Sequence, residues 1–175
     1  MRMYSINSND ENVQNQINNC KNKIIEILDF FNVDNVNVEI KVLDYNSFKK
    51  EFKEYLKHDI NNYTVGFIED DKNMIVVLAY NDYKYTCHKN DTYDDYIKMI
   101  IHEFVHVIHS IACEHNYPNT ELREGIAVYL SNQYDFENKL GSGSYFEYGL
   151  KIYNYLKDNS KESLLNILNV NNWGS

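Results

Sequence analysis

Apolar residues recur at helical intervals in ENVQNQINNCKNKIIEILDFF, where Val13, Ile17, Ile24, Ile27, Leu28 and Phe31 are separated by Asn and Lys. This spacing predicts one amphipathic helix. The period then falls to two: Val36, Val38, Ile40 and Val42 alternate with Asn37, Glu39 and Lys41 in VNVEIKVL, as in a half-buried strand. NSFKKEFKEYLK returns to helical spacing through Phe48, Phe52, Tyr55 and Leu56. YTVGFIE and NMIVVLAY are β-rich runs on either side of the polar EDDKN region, which predicts a hairpin or a tight connection.

The remainder reads as helical. Thr92 followed three residues later by Asp95 makes a capping-box-like start to a long apolar segment reaching Cys113. Pro118, the sole proline, breaks that helix within EHNYPNT, and TELREGIAVYLSNQY predicts the next. GSGS at 141–144 marks another boundary before SYFEYGLKIYNYLKD and KESLLNILN. The fold class is therefore α+β, with a small sheet of at least three strands from the first half and a mostly helical second half packed on it.

With 175 residues, 43% of them hydrophobic, the chain has the size of one domain that buries about two-thirds of its unfolded surface. Residues 1–175 are read as that domain, with a helix and sheet part over 1–90 and a helical part over 91–175. Lys and Arg number 17 against 26 Asp and Glu, a net charge of -9, which argues against nucleic acid as a partner. No run has the roughly 18 to 20 apolar residues of a membrane span, and MRMYSINSND lacks the apolar core of a secretory signal. The expectation is a soluble, cytoplasmic monomer, or a secreted one if a signal was removed. Cys20, Cys87 and Cys113 are far apart, odd in number and without a CxxC pair, which suggests neither a disulfide framework nor a cysteine metal site.

Chemistry concentrates in KMIIHEFVHVIH, residues 98–109. His102 and His106 are four residues apart, about 40° around a helix and about 6 Å along it, so both imidazoles can reach one ion. Glu103 completes HExxH, in which two neutral imidazoles bind zinc and the adjacent carboxylate handles water. Ile100, Ile101, Val105 and Ile108 indicate that most of this helix is packed, so the histidines need partners, and a metal supplies one. His109 lies about 10.5 Å along the axis from His102, too far for a tetrahedral centre shared with both others. It reads as a packed or supporting histidine. A catalytic site needs a third protein ligand and an open position for water. Glu124, followed by Gly125, is favoured; Glu121, about one turn earlier, competes, and a solvated helix-face carboxylate is the alternative for either.

HEFVH followed after 17 intervening residues by EGIA resembles the gluzincin metallopeptidases, in which HExxH and a glutamate on a second helix bind zinc. REGIAVYLS is similar to the EGxAxY segment of small peptidase-MA-like, minigluzincin-type enzymes. The resemblance touches residues 62–165 and is specific in the two zinc-binding segments. It implies a zincin-like metallopeptidase domain, with zinc held by His102, His106 and Glu124, Glu103 as general base, and a peptide or protein substrate. It also implies an oxyanion-stabilising tyrosine on a later helix, for which Tyr145 and Tyr148 are the candidates; the family pattern falls on Phe146, and Tyr145 needs the smaller shift. The strand NMIVVLAY is expected to be the edge that pairs with an extended substrate.

Two positions depart from the family. Thermolysin-like enzymes carry an acidic residue four positions after the third ligand, where this chain has Val128. Aminopeptidases of the clan carry GxMEN, to which GFIED offers Gly66 and Glu69 without the Met or Asn. Glu69 is thus either part of an acidic hairpin turn or, in an aminopeptidase, the group that holds the substrate amine. A binding or regulatory module that keeps zinc without cleaving is the rival class, against which Glu103 and the count of three ligands argue.

Overall fold

The computed structural model describes residues 2–170. Strand β1 (Tyr4–Ser8) leads into helices α1 (Glu11–Asn19) and α2 (Lys21–Phe31), then β2 (Val36–Leu43), α3 (Tyr45–Leu56), β3 (Gly66–Glu69) and β4 (Met74–Leu78). Four helices follow: α4 (Tyr93–Ala112), α5 (Thr120–Leu130), α6 (Gly143–Asp158) and α7 (Lys161–Ile167). The strands form one mixed sheet in the order β1-β2-β4-β3, with β1, β2 and β4 parallel and β3 antiparallel to β4. The architecture is α+β. Among the described residues, no helix is long and apolar enough to cross a membrane.

Three features differ from the sequence expectation. The predicted first helix is two, because the chain bends at Cys20, whose N–H bonds back to the carbonyls of Gln16 and Ile17. Asn18 and Asn19 are weak helix formers, and the bend buries both the Val13–Ile17 face and the face of Ile24, Ile27, Leu28 and Phe31. Strand β1 was not foreseen; its five residues include one buried side chain, Ile6. The third difference bears on the site: β4 is not an edge. It is hydrogen-bonded to β2 on one side and β3 on the other, and Ile75, Val76, Val77 and Leu78 are all buried. A continuous apolar run belongs to a strand covered on both faces, here by α3 and α4.

The free edge beside α4 is therefore β3. It joins β4 in the expected hairpin, turned through a 3-10 segment at Asp70–Lys72 and Asn73 in the left-handed region. Leu78 N–H donates to the Val65 carbonyl, so Val65 and Leu78 are a hydrogen-bonded pair, and the next pair, Gly66 with Val77, is not. By this alternation the backbone N–H and C=O of Gly66 and Ile68 point outward from the sheet.

The long helix α4 begins as expected. The Thr92 hydroxyl accepts from Asp95 N–H while the Asp95 carboxylate accepts from Thr92 N–H, and the helix runs 20 residues through the core. Its buried side chains reach α2, β3, β4 and α5. Helix α6 lies so close to α5 that a Cβ on Gly125 would stand 2.7 Å from the Tyr148 carbonyl oxygen. Gly125 thus sets how near the two helices pack, and with that where its neighbour Glu124 points.

Candidate metal centre

Three side chains from two helices converge. His102 and His106, buried on successive turns of α4, aim their Nε2 atoms at one oxygen of Glu124 on α5, at 3.1 and 3.3 Å from Oε2. The rings stand edge to face with centroids 4.7 Å apart. One potential ligand atom from each residue lies within 4.8 Å of those of the other two, the one such group of three or more found among the described residues. The set could hold a metal ion. Glu121, the competing carboxylate, is paired with Lys151 at the surface.

Orientation comes from an unforeseen residue. His102 Nδ1 donates to Gln133 Oε1 at 2.7 Å, which fixes a proton on Nδ1, so that Nε2, which faces Glu124, is the nitrogen that would bind a cation once its own proton is displaced. Val128 is fully buried and has no such role. Nothing in SNQY marks Gln133; it reaches His102 only because the chain turns back after α5.

The acid–base state follows from burial and mutual contact. Burial raises the Glu124 pKa, but the hydrogen bonds from His102 and His106 and their charges outweigh it, so this carboxyl stays well below the usual carboxylate range. For His106, burial is the largest influence and, with repulsion from His102, takes the pKa down to about 4 despite the bond to Glu124. The pKa of His102 is lowered by burial, yet the hydrogen bond to Glu124, the charges of Glu103 and Glu124, and Gln133 raise it on balance. One imidazole is kept neutral and the other competes for a proton around a permanently charged carboxylate, which is an arrangement a cation can replace. Burial likewise pushes Glu103 up to about 7.

Glu103 faces the β3 edge. A Cβ on Gly66 would lie 2.8 Å from Met99 Sδ and 3.3 Å from Glu103 Cγ, so a side chain there would push the strand away. The triad, Gly66, Glu103, Arg123, Tyr134 and Tyr145 all line one cleft of about 1100 Å³. Tyr145 lies nearly parallel to His102, with ring centroids 6.0 Å apart, and is 47% exposed toward the opening. Tyr148 does not line the cleft, and Phe146 is buried against Phe136 and Tyr134.

The other candidates fall outside. His109 is fully buried, stacked on Phe31 at 5.2 Å, and donates from Nε2 to the Leu168 carbonyl at 2.9 Å. It ties α4 to the end of α7. Glu69 is buried with Phe67 on the sheet face opposite Gly66, and its carboxylate accepts from Lys72 Nζ at 2.5 Å. The structure does not bring it to the triad.

No family model, curated protein or solved structure matches this chain.

Proposed function

We propose that this chain is a zinc-dependent peptidase of the gluzincin type, with a zincin-like catalytic domain. The observation that carries the proposal is the convergence of His102, His106 and Glu124 beside a half-buried Glu103 in an open cleft. Zinc suits the donor set: with arms of about 2.0 to 2.1 Å to nitrogen and oxygen, neighbouring ligands of a tetrahedral ion lie about 3.3 Å apart, and the two imidazole-to-carboxylate distances are 3.1 and 3.3 Å. Three ligands also leave a fourth position open. When bound, zinc supplies Lewis acidity, polarising a carbonyl and acidifying water.

The chain's own groups supply the rest. Glu103, with a pKa near neutrality, takes the proton of the attacking water and returns it to the leaving amine. Tyr145 is the candidate donor to the oxyanion, standing over His102 at the mouth of the cleft. The outward N–H and C=O groups of Gly66 and Ile68 offer an extended peptide an antiparallel partner next to Glu103. Glu69 is engaged by Lys72 on the other face of the sheet, which favours cleavage within chains over the removal of N-terminal residues.

Substitution of Glu103 separates a peptidase from a zinc-containing binding module. Glu103→Gln is expected to retain zinc while losing hydrolysis of a peptide library read by mass spectrometry. Full cleavage by that variant would remove Glu103 from its role.

A further inference from the structure

The chain has two arginines, and they are treated in opposite ways. Arg2 is saturated: its guanidinium donates to Asp29, Asp34, Asn32 and the Val33 carbonyl. Arg123 lines the cleft and has no carboxylate partner among the described residues. Its Nε is buried without an acceptor. The other Lys or Arg lining the cleft is engaged, Lys98 with Asp94 at 3.1 Å. In a chain with 26 acidic residues, an unpaired guanidinium at a site needs a reason.

Its placement is defined. The guanidinium lies over the Tyr117 ring, 4.3 Å from the centroid. Tyr117 is itself anchored, its hydroxyl 2.6 Å from Ser110 Oγ, and Ser110 is one turn beyond His106 on α4. The cation–π contact holds the guanidinium over the ring, and its terminal N–H groups, rather than the buried Nε, are left for a ligand. Tyr145 and Gln133 stand at the His102 end of the pair of imidazoles, and Arg123 lies toward His106, on the side of Tyr117 and Ser110. A peptide lying across the site would meet Tyr145 on one side of the reacting bond and Arg123 on the other.

We propose that Arg123 is a specificity-determining residue that receives a substrate carboxylate, so that the preferred substrates carry an anionic group close to the reacting bond. The carboxylate comes from a free C-terminus or from an Asp or Glu side chain; both present the planar pair of oxygens that a guanidinium grips with two N–H groups. This inference rests on the peptidase reading of the site. The fixed, half-buried setting of Arg123 makes the contact count, because a charge-assisted pair out of bulk water is worth more than an exposed one.

The test compares matched peptides on the zinc-loaded protein: free acid against C-terminal amide, and Asp or Glu against Asn or Gln next to the reacting bond. The anionic member of at least one pair is expected to have a KM lower by about tenfold to a hundredfold. A preference within the first pairs assigns the C-terminus, and within the second the side chain. Arg123→Gln should erase the preference, bringing KM within each pair to about the same value, and Arg123→Lys should restore part of it. Equal KM within every wild-type pair overturns the proposal without any variant, as does a preference that survives Arg123→Gln. If no peptide is cleaved, the peptidase reading fails, and the same pairs are titrated calorimetrically onto the zinc-loaded protein. Tighter binding of the anionic members then still supports Arg123 as a carboxylate receptor, and equal or absent binding overturns it.

Discussion

Successive turns of α4 carry three buried histidines that serve opposite ends. Around His102 and His106 the nitrogens converge on a carboxylate at the wall of a cleft, with Gln133 fixing one ring. One turn on, His109 is as deeply buried, but it stacks on Phe31 and bonds a backbone carbonyl. The residue type and the helix are shared; the difference lies in what the neighbouring elements bring. Helix α5 presents Glu124 to His102 and His106, whereas α2 and the end of α7 close over His109. A histidine in an apolar helix is therefore read by the acceptor it meets.

The largest contrast should come from the chemistry around His102 and His106. Glu103→Gln is expected to lower kcat by about 100- to 10,000-fold with zinc content and thermal midpoint retained, as measured by metal analysis and calorimetry. His109→Ala should act in reverse, costing about 2 to 4 kcal/mol of stability through a cavity and an unpaired carbonyl while zinc stoichiometry is unchanged in the folded protein. Denaturant titration beside metal analysis checks both halves, and loss of zinc from folded His109→Ala would erase the contrast.

His109 also gives a pH signature. Burial lowers its folded-state pKa below the ordinary 6.5, outweighing the bond to Leu168, so on acidification the unfolded chain takes up the proton first. Its contribution is complete above about 6.5 and is lost as the pH falls through the folded value. Subtracting the stability profile of His109→Gln from that of the wild type should expose this slope; parallel profiles would contradict it.

Smaller effects sharpen the comparison further. Gln133→Ala, which frees the His102 ring, should weaken zinc affinity by about 10- to 100-fold in a competition titration against a chelator, and leave His109 and the core untouched. At the start of the same helix, Thr92→Ala should cost about 1 kcal/mol by removing the cap, with no change in zinc affinity.

How much of this was legible in the sequence depends on how local each feature is. The cap at Thr92, the spacing of His102, Glu103 and His106, and the position of Glu124 are set by helix period and by single residues, and all stand where the pattern put them. The role of His109 followed from helix rise alone. Features that depend on the chain folding back were hidden: Gln133 reaches His102 across 31 residues, and only the packing of α5 beside α4 brings Arg123 to the cleft. The mistaken edge strand was recoverable, since Ile75–Leu78 is uniformly apolar whereas GFIE alternates in burial. The break at Cys20 and the short polar β1 carry weak local signals and are decided by packing.

The central claim is that His102, His106 and Glu124 form a zinc site. Its most direct test is calorimetric titration of metal-free protein with zinc, alongside His102→Ala, His106→Ala and Glu124→Ala. The account predicts one zinc per chain, a rise in thermal midpoint on binding, proton release that weakens affinity as the pH falls through the histidine range, and loss of binding in each variant. Zinc-free protein that neither binds nor is stabilised, or binding that survives the Glu124 substitution intact, would contradict it.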